Sequence, residues 1–316
     1  MIYKEFNNHI KNKIKNIKDE WKDIYKDYKP TEKDLLIKEF LEDLYTIKDN
    51  NEKVDGFYVG DKSNNYYFYI LLQDNENPSN NYKQSFRIKR IYSKSPKTCP
   101  LWYLFSRLAE DNTYHFFYTP NILFKVEKFS KIDDNLVKAS NVYFVDIDNI
   151  DEDIDFTKWN NKEIEDYLLN RYPFISKDEF FPSYIATSGG GLHLYFILEN
   201  TENIYRGKIN VSSTETRYQH KQLTKKLIDI FKADVSCVNF NRLLRFPFSK
   251  NGKEKYGEVR NTRLIRPFIE DDFSINDELD YFTYMFKDDI NDYIETDEAL
   301  NYYKQILKEQ SELPNF

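Results

Sequence analysis

Apolar positions recur at helical spacing near the start of the chain. Ile10, Ile14, Ile17 and Trp21 follow one another at intervals of 4, 3 and 4, which puts them on one face of a helix. The run Pro30-Thr31-Glu32-Lys33 breaks that stripe, and Leu35, Phe40 and Leu44 begin a second helix. The pattern then becomes β-type. GFYVG (56–60), NYYFYILLQ (65–73) and QSFRIKRIYS (84–93) predict strands, and DNENPSNN is a polar loop before the last of them. PLWYLFSRLAE (100–110) predicts a short helix opened by proline, and YHFFYT (114–119) a strand. In NVYFVDID (141–148) both parities are apolar before the aspartates, as in a central strand covered on both faces. Residues 161–171 predict a helix, SYIAT (183–187) and HLYFIL (193–198) two strands. A further helix carries Leu223, Leu227, Ile230 and Phe231 and ends near Ala233-Asp234. Strands and helices mix throughout, so the expected class is α+β. Three stretches are expected: an N-terminal helical and strand module (1–110), a core (111–269), and an acidic helical C-terminal segment (270–316) with Phe273, Leu279, Phe282 and Phe286 as its buried contacts.

Composition narrows the classes. The 316 residues are ample for a large core, and 26 tyrosines and 25 phenylalanines make that core aromatic. No run of 18 apolar residues is present, and the N-terminus lacks the apolar stretch of a signal peptide, so a cytoplasmic protein without a membrane partner is expected. Two cysteines, Cys99 and Cys237, exclude a disulfide framework and a cysteine-only zinc site. The net charge of −7 is unevenly placed: from Glu270 onward 14 acids and 3 bases give −11, so residues 1–269 carry +4. Glycine is scarce, with 8 in the chain, yet Gly189, Gly190 and Gly191 are consecutive and His193 follows at once.

Three segments carry candidate chemistry. Asp146 and Asp148 lie at i and i+2 of a strand, so both carboxylates face the same way where the apolar run ends. Such a pair repels unless protonated or bridged by a cation, and hard oxygen ligands suit Mg²⁺ or Mn²⁺. The plainer alternative is a strand that turns polar at its end, since Asp151, Asp153 and Asp155 follow. Ser188-Gly189-Gly190-Gly191-Leu192-His193 lies between two strands. Its amides, hydroxyl and imidazole suit phosphate oxygens, or it is a flexible hairpin loop with an incidental histidine. Asp234 precedes NRLLRFPFSKNGK (241–253) and offers a third carboxylate, with Arg245 and Lys253 as clamps for triphosphate oxygens. The alternative is a helix end and a solvated basic loop. Carboxylates, a phosphate cradle and arginines together make up the parts of metal-assisted nucleotidyl transfer.

In order and local sequence, VYFVDID, SGGGLHLYF, KAD and NRLLRFPFSKNGK resemble the catalytic core of the archaeo-eukaryotic primase superfamily. The likeness covers roughly residues 115–255 and is to the primase-polymerases linked to plasmids, phages and CRISPR loci, in which a D-x-D strand, a glycine turn leading to a histidine, a post-helix aspartate and an n-R-x-x-R-x-P-G-(S/T)-x-N-x-K stretch follow in turn. Two positions depart from that pattern: Gly191 stands where Ser-x-His is common, and Phe248 stands where the pattern has glycine. The resemblance implies a primase-like core with an RRM-like sheet. It implies a two-metal Mg²⁺ or Mn²⁺ site on Asp146, Asp148 and Asp234. His193 would donate to the β- or γ-phosphate, with Ser188 and Gly189 to Gly191 around it. Arg245 would pair with phosphate, Asn251 and Lys253 would support the same end, and Arg242 stands beside them. The implied partners are a single-stranded DNA template, NTPs or dNTPs, and a further domain or partner protein beyond the C-terminus. The implied activity is making or extending primers.

A nucleic-acid track is also expected. Residues 77–109 contain no acid, and their bases are interleaved with Tyr82, Phe86, Tyr92 and Trp102, which suits phosphate contact and base stacking. Arg87, Lys89, Arg90, Lys94 and Lys97 are the expected DNA contacts there, with Arg217 on the helix before Asp234. A nucleotide-sugar glycosyltransferase would use the D-x-D but leaves SGGGLH and the acid-free segment unexplained. A rolling-circle endonuclease needs a close histidine pair that His9, His115, His193 and His220 do not form in sequence. A non-catalytic nucleic-acid-binding module would not need the carboxylates.

Overall fold

The computed structural model describes residues 3–46, 66–93, 95–124, 136–148, 154–177, 180–202, 211–253 and 256–267. The GFYVG segment, Lys94 and the whole 270–316 stretch lie outside the described residues. Two long helices come first, α1 (Tyr3–Ile24) and α2 (Glu32–Tyr45). The α1 stripe buries Phe6, Ile10, Ile14, Ile17 and Trp21, while α2 starts at a capping box in which Thr31 and Asp34 satisfy each other's backbone amides.

Strands β1 (Tyr67–Asp74), β2 (Asn81–Arg87), β3 (Tyr114–Tyr118), β4 (Ile122–Leu123), β5 (Val137–Asp148), β6 (Tyr184–Thr187), β7 (Gly191–Glu202), β8 (Leu244–Arg245) and β11 (Leu264–Ile265) form one nine-stranded sheet. The short β9 (Lys250–Asn251) and β10 (Arg260–Asn261) pair separately. Along the sheet the order is β11-β6-β7-β5-β4-β1-β3-β8, with β2 on the other side of β1, and all its pairings are antiparallel. Helices α3 (Leu101–Ala109), α4 (Asn161–Arg171) and α5 (Val211–Phe231) complete the fold, which is α+β as expected.

The strand expected over residues 84–93 stops at Arg87, where a 3₁₀ turn takes Ile88–Arg90 and buries Ile88. Strands β1 and β2 extend the sheet that holds β5 and β7, and one apolar cluster runs from Phe6 to Ile265.

Strand β5 is central and buried on both faces. On one face Tyr143 stacks on His220 of α5, with ring centroids 4.2 Å apart. On the other, Phe40 of α2 packs edge-on against Tyr184 and Tyr195. Asn141 ties the strand to the end of α2 by donating to the carbonyls of Leu44 and Thr46. Its two coverings leave only the C-terminal end of β5 open, and Asp148 there is exposed.

Candidate active site

The site is assembled by register. Asp146 of β5 pairs directly with His193 of β7, and Asp148 with Gly191, so aspartates, histidine and glycine run share one face and one strand end. The third carboxylate arrives through a backbone bond. Strand β4 covers only the first part of β5, pairing with Val137 and Ala139, so the Asp146 carbonyl lies beyond its reach. The Asp234 amide takes up that carbonyl at 2.8 Å. The chain can turn there because α5 ends in a Schellman motif. Lys232 adopts φ 53° and the Ala233 amide reaches back to the Ile228 carbonyl. Asp234 then caps the next 3₁₀ turn, its Oδ1 accepting from the Ser236 amide at 2.8 Å.

Arg242 is the least expected member. Its Nη2 donates to Asp234 Oδ2 at 2.7 Å and to Asp146 Oδ2 at 3.3 Å, so one guanidinium joins two of the three carboxylates. Burial alone would raise the Asp234 carboxyl, but the Ser236 amide and Arg242 more than offset it and hold it below its ordinary range. Among the described residues no group of three or more His, Cys, Asp or Glu side chains is arranged to hold a metal ion.

His193 is buried, with 3% of its surface exposed, and both ring nitrogens have neighbours. The Tyr118 hydroxyl donates to that of Tyr195 at 3.0 Å, which leaves the Tyr195 proton for His193 Nδ1, 3.3 Å away. Neutral His193 then carries its own proton on Nε2, which lies 3.4 Å from Asp146 Oδ1. Burial holds its pKa below the ordinary histidine value, which favours this neutral form. His193 thus has Tyr195 beside Nδ1 and Asp146 beside Nε2.

The glycine run has local reasons that the sequence does not advertise. Gly189 and Gly190 form the two-residue loop of the β6–β7 hairpin, with φ +85° at Gly189 as in a II′ turn, and the Ser188 amide closes it on the Gly191 carbonyl at 2.9 Å. A Cβ at Gly191 would overlap the Ile147 carbonyl, and one at Gly190 the Tyr256 hydroxyl. Asn251 donates to the Ser188 carbonyl at 2.7 Å, and Arg260 to the Gly189 carbonyl at 2.6 Å. Arg260 also lies 3.3 Å from Asp155, over the Tyr256 ring. The loop is thus a braced hairpin tip, with Asn251 beside it.

Other expected residues are placed differently. Arg245 is buried, bonded to the Lys250 carbonyl at 3.0 Å and 3.1 Å from His115 Nδ1. Burial lowers its pKa to about 10, and burial followed by the Arg245 charge lowers that of His115 to about 4. Lys253 is exposed. Arg217 is 6% exposed and lies over the Phe240 ring, 5.0 Å from its centroid. Arg87, Lys89 and Lys97 are exposed, and Arg90 is half-buried, donating to the Cys99 carbonyl at 3.1 Å. Arg242, Arg260 and Tyr256 carry more of the site than their sequence pattern shows. Arg242 had a visible signal in the n-R-x-x-R segment. Arg260 and Tyr256 had none.

No family model matches the chain, and no curated protein sequence does. Two solved structures are similar in fold. One is the AEP domain of the cyanophage S-2L primase-polymerase, at TM-score 0.40 and 11% identity over 69% of this chain and 89% of that one. The other is primase RepB′, at TM-score 0.41 and 10% identity over 76% of this chain, which spans 63% of RepB′. No helix among the described residues is long and apolar enough to cross a membrane.

Proposed function

We propose that the chain is a DNA primase-polymerase: a metal-dependent nucleotidyltransferase that makes or extends primers on single-stranded DNA from NTPs or dNTPs. The observation that carries the proposal is the side-by-side placement of Asp146 and Asp148 on one face of β5 by register, with Asp234 tied to Asp146 through its backbone amide and through Arg242. Asp146 and Asp234 share the Arg242 guanidinium, and Asp148 is exposed at the same strand end, so the donors there are the hard oxygens that divalent cations take. Mg²⁺ commonly takes one or two protein carboxylates and completes its shell with water and substrate phosphates, and Asp146 with Asp148 fits that donor set. A bound divalent ion would supply a lowered pKa at the attacking 3′-hydroxyl and charge neutralisation at the triphosphate. The chain's own work is to hold the carboxylates. His193 orients Asp146 from the side, Arg242 gathers Asp146 and Asp234, and the braced hairpin tip forms the wall beside Asp148.

A gel assay with Mn²⁺ or Mg²⁺, a single-stranded template and labelled NTPs or dNTPs, with and without an annealed primer, tests the activity. Product in both lanes is expected. Product only with the primer would limit the protein to extension. No product from folded protein with either metal would sink the proposal and favour a non-catalytic binder or nucleotide-sugar transfer.

Arg242 and a cation held by Asp146 and Asp148 would share the Asp146 carboxylate. Arg242→Gln is therefore expected to lower the melting temperature without metal by several degrees, because Asp146 and Asp234 then repel unscreened. Mn²⁺ should restore more stability to the variant than to the parent, with a titration midpoint about tenfold lower. Equal Mn²⁺ responses in thermal denaturation would show that Arg242 and the cation do not compete.

A further inference from the structure

A recess lined by charged side chains lies between α1 and the segment that follows β2, and none of Asp146, Asp148 and Asp234 lines it. It encloses about 420 Å³, within the range of small-molecule sites. Lys15, Lys18 and Lys22 enter it from α1, where spacings of 3 and 4 put them on one face, and Arg90 and Lys97 enter from the other wall. The one acid of its lining, Asp19, is held by Lys22 at 2.6 Å. Glu20 close by accepts from the Tyr103 hydroxyl at 2.8 Å. Cys99 contributes no charge, since burial pushes its thiol up to about 12. Five cations thus meet one carboxylate. Burial lowers the pKa of both Lys18 and Arg90, and the Arg90 charge lowers that of Lys18 further. Lys18 and Arg90 are half-buried, and two neighbouring cations there are unfavourable until an anion joins them. None of the residues around Asp146 lines this recess.

We propose that this recess binds a phosphate group, and that the phosphate is one of a nucleic-acid strand. Phosphate chemistry follows from the excess of positive charge together with one planar guanidinium and several ammonium donors. The strand, as opposed to a free nucleotide, follows from the exposed Arg87 and Lys89, which precede Arg90 of the recess in sequence at the end of β2. That choice of source rests on the proposed activity, whereas the phosphate site does not.

The test uses the full chain without divalent metal, so that the carboxylate site is not loaded. The probes are a 12-nucleotide single strand with and without a 5′-phosphate, read by fluorescence anisotropy, and ATP and inorganic pyrophosphate, read by calorimetry. Lys18→Gln/Lys97→Gln should weaken strand binding at least tenfold at low salt. It should also flatten the log–log salt dependence by about 1.4, the value for two lost single-strand phosphate contacts. Lys4→Gln/Lys11→Gln, which removes equal charge elsewhere on α1, should stay within twofold. A loss seen only with the 5′-phosphorylated strand places a strand end in the recess. A loss seen only with ATP or pyrophosphate keeps the phosphate site but assigns it to a free nucleotide. Unchanged binding of every probe, or an equal loss in the control pair, would overturn the proposal. Because α1 faces could be perturbed in the double variant, Arg90→Gln alone provides a second check from the opposite wall, with the same expected direction. A chain that binds in the recess yet adds no nucleotide would defeat the activity and leave the recess standing. Primer synthesis with unaltered strand binding in the variants would do the reverse.

Discussion

Asp146→Asn and Asp148→Asn will each reduce nucleotide addition by more than about 1,000-fold, equivalent to about 4 kcal/mol of transition-state stabilisation. Both substitutions are nearly isosteric, so the loss is one of charge. Asp146 sits between two neighbours, Arg242 Nη2 at 3.3 Å and His193 Nε2 at 3.4 Å, and an amide there still fits while Arg242 keeps Asp234 at 2.7 Å. Asp148 stands exposed at the strand end. Folding is therefore expected to survive, with melting temperatures within a few degrees of the parent and single-strand binding intact, because the basic recess is built from other elements. Primer extension, melting and anisotropy on the same preparations separate these effects. Synthesis within tenfold of the parent by either variant would remove the carboxylates from the chemistry.

Much of this site is legible in the sequence because it depends on strand parity and order. The i, i+2 spacing of Asp146 and Asp148 fixes a common face in any strand, and the helix ending near Ala233 puts Asp234 within reach of β5. What escapes the sequence depends on distant partners. Arg242 reaches Asp146 across 96 positions, and Arg260 reaches Gly189 across 71. Arg217 meets the Phe240 ring, which arrives from another element. The glycine run illustrates both sides. Its scarcity in composition marks the place, but the steric demands come from Ile147, Tyr256 and Asn251, none of them adjacent in sequence. Phe248 is the converse case. Phenylalanine replaces the glycine of the resembled pattern, which suggests an altered turn, yet Phe248 adopts φ +64°, the left-handed region that glycine favours. The Ser249 amide and hydroxyl both return to the Phe246 carbonyl, at 3.2 and 2.6 Å, so neighbouring bonds keep the turn despite the side chain.

His193 separates two roles that the same sequence pattern permits. As a phosphate donor, its loss would raise the nucleotide KM. As a positioning residue for Asp146, its loss would lower kcat with little change in KM, because the misplaced group acts only as the transition state forms. The relay Tyr118–Tyr195–His193 directs the imidazole proton toward Asp146, so the second outcome is expected: His193→Ala loses about 100-fold in kcat, with KM within threefold. His193→Gln should recover about tenfold of that, since a carboxamide N–H extends to nearly the place of Nε2. Tyr195→Phe, which removes the hydroxyl that sets the tautomer, should fall between parent and His193→Ala. Stability gives an independent readout. Burial depresses the His193 pKa, so below about 6.5 the unfolded chain takes up a proton that the folded chain refuses. Stability is then full above that pH and declines as pH falls toward the folded value, and His193→Gln should flatten the decline. A KM increase with intact kcat in His193→Ala would return the histidine to the triphosphate and leave the carboxylate to Arg242 alone.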